Sequence, residues 1–157
     1  MLFINKRSKV TSDKITIPAR ASSPETKLFV KIISQEKDKT ESRPTIFILP
    51  GGPGIDHTAY SKYSCLIDVA DIVFHDPRGC GRSAKDHPST YSMDNYIDDV
   101  EALRNALNLE KIIVLGKSYG SVCSMGYALR YGHTIEKLIL SAGAPSFRSI
   151  ETAKKTS

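Results

Sequence analysis

The chain has 157 residues, 40% of them hydrophobic and 25% charged, which fits one ordinary globular domain spanning 1–157 and excludes a disordered chain. No apolar run approaches the roughly 18 residues of a membrane span, so no membrane partner is expected. The net charge of +5 comes partly from the ends (Lys6, Arg7, Lys9, Lys154, Lys155) and forms no basic motif, so no nucleic-acid partner is expected either.

Met1 to Lys6 has a short apolar start without the apolar core or cleavage site of a signal peptide, and the expected compartment is the cytoplasm. Lys14 to Pro18 alternates polar and apolar residues and reads as a strand. Lys27 to Ser34 reads as a second strand, close enough to the first for an antiparallel start. Thr45 to Leu49 (TIFIL) is a continuous apolar strand stopped by Pro50 and Gly51. His57 to Ala70 reads as a helix, and Asp71 to His75 (DIVFH) as a buried strand ended by Pro77 and Gly79. Met93 to Asn108 is an amphipathic helix with Asp94, Asp98 and Asp99 near its start, where the helix dipole favours acids. Lys111 to Leu115 is a buried strand, Ser118 to Tyr131 a helix, and Ile135 to Ser141 a further strand. Apolar strands alternating with helices predict an α/β fold: a mostly parallel sheet covered by helices on both faces. Ligands of such sheets sit beyond the carboxyl ends of the strands.

At one of those ends stands Gly116-Lys117-Ser118-Tyr119-Gly120, a G-x-S-x-G between a strand and a helix. This context is that of a nucleophile elbow, where a tight turn lifts a serine hydroxyl above the sheet. Gly116 and Gly120 would remove side chains that collide in the turn. The helix start aims N–H groups at a developing oxyanion. Two nucleotide motifs fail. A phosphate-binding loop ending at Gly116-Lys117-Ser118 needs a glycine where Lys111 stands. Gly79-Cys80-Gly81-Arg82-Ser83-Ala84 opens no helix before Pro88. The three cysteines (Cys65, Cys80, Cys123) have no metal-type spacing, and neither metal nor cofactor is expected.

Pro50-Gly51-Gly52-Pro53-Gly54 follows the TIFIL strand, and its glycines let the backbone approach a substrate carbonyl. One N–H of this loop could join that of Tyr119 in an oxyanion hole. Asp76-Pro77-Arg78-Gly79-Cys80-Gly81-Arg82-Ser83 follows the DIVFH strand and reads mainly as loop scaffolding.

These three elements, in this order, resemble the α/β-hydrolase superfamily, and more narrowly the prolyl iminopeptidases, serine peptidases that release amino-terminal proline. That family carries a His-Gly-Gly-Pro-Gly loop, an Asp-Gln-Arg-Gly-x-Gly-Arg-Ser loop and the serine elbow. Pro50 stands here in place of the His and Pro77 in place of the Gln. The resemblance implies that Ser118 is the nucleophile and that Gly52 and Tyr119 supply oxyanion-hole amides, with Gly51, Pro53 and Gly54 shaping the loop. It implies acyl transfer to Ser118 from a peptide, with a small ester or amide as the alternative substrate.

The same resemblance places the triad acid and His after later strands, beyond a helical cap. Ser157 falls about where that cap would begin, so an amino-terminal part of the fold is expected, impaired or inactive alone. A non-catalytic remnant or one half of a split enzyme are the other readings. Of the four histidines, His57 and His75 are expected on the active edge, His57 being the better surrogate base. The strand Ile135 to Ser141 is expected to form a bare apolar edge, open to self-association or to a second chain.

Overall fold

Six strands form one sheet in the order β1-β2-β4-β3-β5-β6 in the computed structural model, which describes residues 8–21, 23–35 and 43–143. The strands are β1 Ser8–Ile17, β2 Thr26–Gln35, β3 Thr45–Leu49, β4 Asp71–His75, β5 Ile112–Lys117 and β6 Ile135–Ser141. β1 and β2 pair antiparallel, as does β2 with β4, while β4, β3, β5 and β6 run parallel. This is the fold class expected from the sequence, with the antiparallel start at the amino terminus.

The apolar runs are continuous because both faces of the central strands are covered. Phe47, Leu49, Val73 and Val114 point to one face, where they pack with Val100, Leu103, Cys123 and Tyr127 of two helices. These helices are α1 (Met93–Ala106) and α2 (Tyr119–Tyr131). Ile46, Ile48, Ile72, Phe74, Ile113 and Leu115 point to the other face, against Tyr60 and Ile67. Alternate residues of a strand face opposite ways, so TIFIL and DIVFH feed both cores at once.

β5 runs two residues past its expected end, to Lys117, and three other elements differ from the sequence expectation. β1 begins at Ser8 rather than Lys14, because its ten-residue register with β2 supplies backbone partners whatever the side chains are. The segment His57–Asp68 is a 3₁₀ helix, capped by Asp56, which accepts the Thr58 N–H; Tyr60, Ser64 and Ile67 still form its buried face. α1 stops at Ala106, two residues before the expected end, and Asn108 takes φ 53° as the chain turns into β5. Ser92 caps the start of α1 by accepting the Asn95 N–H. No helix among the described residues is long and apolar enough to cross a membrane.

Candidate active site

β5 runs straight into Ser118, whose backbone sits at φ 53°, ψ −119° before α2 begins. A non-glycine residue at positive φ is strained and persists only where its surroundings hold it. Here the holding contacts are visible. The Ser118 N–H donates to the Ser141 carbonyl at the end of β6 (2.9 Å). Ser121 Oγ donates to the Gly116 carbonyl and Ser124 Oγ to the Gly120 carbonyl, both at 2.7 Å. The flanking glycines are required by packing. A Cβ on Gly120 would fall on the Leu49 and Pro50 carbonyl oxygens, and one on Gly116 on the Gly120 carbonyl and Ser124 Oγ.

The loop after β3 lies against this turn. A Cβ on Gly51 would meet the Lys117 carbonyl at 2.9 Å and Ser118 Cβ at 3.2 Å. The Gly51 N–H donates to Tyr60 Oη (2.7 Å), so this amide is engaged within the protein. Gly52, the next amide donor, sits exposed at φ 116°, a conformation that side chains rarely adopt. The proline at position 50 therefore leaves the loop beside Ser118, with Tyr60 supplying an anchor. Sequence reasoning missed that anchor, because Tyr60 reads as one more buried helix residue.

The loop after β4 is tied by Asp76, whose side chain is fully buried. Its Oδ1 accepts the His57 N–H at 2.9 Å and lies 2.6 Å from His57 Nδ1, while Oδ2 accepts the Arg82 N–H at 2.8 Å. One carboxylate thus joins the 3₁₀ helix that follows the glycine loop to the loop after β4. Gly81, at φ 47°, is needed here, since a Cβ would strike that carboxylate. Arg78 grips Asp99 of α1 through Nε and Nη2 (3.1 and 2.9 Å) and Asp86 through Nη1 (3.0 Å). Burial disfavours the guanidinium charge, but the bonds to Asp99 and Asp86 outweigh it and raise the Arg78 pKa. Arg20 reaches the same Asp99 from the segment after β1.

A cavity of about 350 Å³ opens between the three loops, lined among others by Gly51, Pro53, Cys80, Tyr91, Tyr96 and Tyr119. Burial pushes the Tyr119 phenol up to about 12 and raises the Cys80 thiol, so both are neutral groups near pH 7. No histidine or carboxylate of the described residues lines this cavity. His57 lines a separate cavity of about 140 Å³ with Lys31, Ser61 and Phe74. His75 is not on the open edge as the sequence suggested. It is the last residue of β4, 1% exposed, and its ring stacks on Tyr96 at 5.7 Å. Its alternating position turns it into the core, and burial lowers its pKa to about 4. His87 bonds Ser89, and His133 precedes β6 at the far end of the sheet. The ligand atoms of Asp56, His57 and Asp76 lie within 4.8 Å of one another. Both Asp76 oxygens already accept N–H groups and Asp56 accepts from Thr58, so the cluster is a hydrogen-bonded tie rather than an open donor set.

Comparison with known proteins agrees with this geometry. A proline iminopeptidase of Lactobacillus crispatus is 34% identical over 119 residues, covering 73% of this chain and 39% of the relative. One from Saccharolobus solfataricus is 36% identical over 110 residues, covering 67% and 35%. The crystal structure of the Mycobacterium smegmatis proline iminopeptidase superposes with a TM-score of 0.76 at 23% identity, over 92% of this chain and 48% of that one. The chain therefore spans less than half the length of the relatives it matches. The family model for the alpha/beta hydrolase fold matches residues 44–156, more than half of the sequence, and the chain belongs to the α/β-hydrolase family, related to the proline iminopeptidases.

Proposed function

We propose that Ser118 is the nucleophile of a serine hydrolase of the proline iminopeptidase type, acting on peptides with amino-terminal proline. The observation that carries this reading is the backbone of Ser118. A strained φ of 53° is kept at the strand–helix junction by two glycines that admit no Cβ. Strain of this kind collects where a side chain must be aimed. Ser118 Oγ would attack the peptide carbonyl, and the carbonyl oxygen would take the negative charge. The amides of Gly52 and Tyr119 are the donors proposed for it, with α2 contributing its positive end. The bond from the prolyl carbonyl to the next nitrogen then breaks, that nitrogen leaving as an amine with the proton that the base took from the serine hydroxyl, and water adds to the acyl-enzyme, releasing proline and restoring the Ser118 hydroxyl.

A serine hydroxyl needs a base within about 2.6–3.2 Å and an orienter for that base. The cavity that reaches the elbow at Tyr119, which Ser118 itself does not line, holds neither among the described residues. We therefore place the base and acid outside them and read the 157-residue chain as impaired by itself. Without its triad partners such a site keeps only about 10³–10⁴-fold catalysis from the oxyanion hole and binding.

Fluorophosphonate labelling read by intact mass tests this, with Ser118→Ala as control and the Mycobacterium smegmatis enzyme as reference. Slow labelling of the chain at Ser118, absent from the Ala variant, supports the reading. Label that persists in Ser118→Ala overturns Ser118 as the nucleophile. Labelling as fast as the reference enzyme overturns the missing base, and the next residue to change would be His57. Release of 4-nitroaniline from the proline anilide, in preference to other amino acids, tests the substrate class.

A further inference from the structure

We infer that Tyr60 is a positioning residue of the oxyanion hole: by accepting the Gly51 N–H, it holds the glycine loop against the elbow with the Gly52 N–H left uncommitted. The inference rests on the reading of Ser118 as the nucleophile. Pro50 and Pro53 carry no N–H, so the two glycines between them hold the donors of this stretch. The fold uses the two amides differently. Gly51 is buried, and its N–H is spent on Tyr60 Oη at 2.7 Å. Gly52 is exposed, and its N–H has no partner among the described residues.

The tie also sets the direction of the loop. A Cβ on Gly51 would meet Tyr60 Oη at 2.8 Å, the Lys117 carbonyl at 2.9 Å and Ser118 Cβ at 3.2 Å, so this residue is wedged between tyrosine and elbow. The carbonyl of the same peptide, that of Pro50, lies toward α2, 2.7 Å from where a Cβ on Gly120 would stand. The Pro50–Gly51 peptide is thus held at both polar ends, and Gly52 follows from a fixed plane. Tyr60 is itself held. It is 7% exposed, and its ring stacks on Tyr63 at 6.3 Å. A 3₁₀ helix repeats every three residues, which puts Tyr60 on the same side as His57, whose N–H and ring are tied to Asp76. Without the hydroxyl, the buried Gly51 N–H would be left unpaired. The loop regains a partner for it by turning Gly51 toward water, which carries the Gly52 amide out of place.

Tyr60→Phe tests this, since it keeps the ring and removes one oxygen. The rate of fluorophosphonate labelling at Ser118 is expected to fall about 10–100-fold, because the phosphoryl oxygen loses a placed donor. Ile67→Val loosens the same helix away from the loop, and should lower the melting temperature but leave the labelling rate unchanged. Nuclear magnetic resonance with isotope-labelled glycine gives the readout that a merely structural role would not move. Phosphonylation should shift the Gly52 amide proton downfield in the parent chain and leave it in place in Tyr60→Phe. Labelling of Tyr60→Phe at the parent rate, a Gly52 amide that shifts equally in both, or an equal loss of rate in Ile67→Val would each overturn the inference and leave the Ser118 reading intact. Label that persists in Ser118→Ala, or a parent chain that takes none, overturns that reading and the inference with it.

Discussion

β1 and β6 are the two outer strands of one sheet, and they meet solvent with opposite chemistry. β1 turns out Lys9, Ser12, Asp13 and Lys14, and only Ile17 is fully buried. Charges of this kind prevent a stray strand from adding to the ladder. β6 turns out Glu136 and Lys137 near its start but Leu138, Ile139 and Leu140 at its centre, whereas Val10 is the one large aliphatic that β1 exposes. The flanks differ in the same way. Beyond β1, Arg20 and Arg78 converge on Asp99 and fasten the β1 side to α1. Beyond β6, α2 shows a bare Leu129, 91% exposed. One side of the molecule is finished by ion pairs, whereas the other is finished by nothing among the described residues.

The largest effect is expected on the ion-paired side. Asp99→Leu would leave Arg20 and Arg78 facing each other without their shared carboxylate, which is 2% exposed. A loss of about 3–5 kcal/mol is expected in urea unfolding. A cost no greater than that of a surface change would mean that this flank is not held by charge.

Acid should come next. The folded state holds His75 neutral with a pKa of about 4, while the unfolded chain titrates near 6.5. The unfolded state therefore binds more protons between these values, and stability falls as pH drops through that window. The loss approaches about 3 kcal/mol and levels off below pH 4. His75→Phe should flatten this part of the melting-temperature profile, and a slope unchanged in that variant would remove His75 as its cause.

Gly120→Ala is expected to cost about 1–3 kcal/mol through overpacking, because the new methyl strikes the Leu49 carbonyl rather than a movable side chain. The same change at Gly54, where nothing lies within 4 Å, meets only its φ of 100°. Equal penalties at the two glycines would show that backbone conformation, not packing, sets the cost. The smallest effect sharpens the edge comparison itself. Val10→Lys on β1 and Ile139→Lys on β6 both alter exposed residues and should change monomer stability by less than about 0.5 kcal/mol.

What the sequence revealed was whatever depends on neighbours along the chain. TIFIL and DIVFH could be read as buried strands because burial on two faces leaves no polar alternation. The elbow could be read because its glycines, strand and helix are contiguous. What stayed hidden were ties between distant residues. Asp76 meets the His57 backbone and ring, Tyr60 meets Gly51, and Arg78 meets Asp99. None of these pairs leaves a periodic trace. The polar half of β1 escaped for a related reason, since its extended form is imposed by the β2 ladder rather than by its own side chains. His75 was misplaced because both faces of β4 are buried, so the sequence does not show that its last residue follows Val73 onto the α1 face, against Tyr96.

The hydrogen bond from the Ser118 N–H to the Ser141 carbonyl has a mechanical consequence. β6, an outer strand among the described residues, is thus rooted in a turn whose serine sits at positive φ. A pull along β6 would load its parallel ladder with β5 in shear, and the tension would reach the elbow through this carbonyl and through β5, which leads directly into Ser118. The serine would then respond to whatever tugs on the edge of the sheet, like a bead at the end of a taut cord.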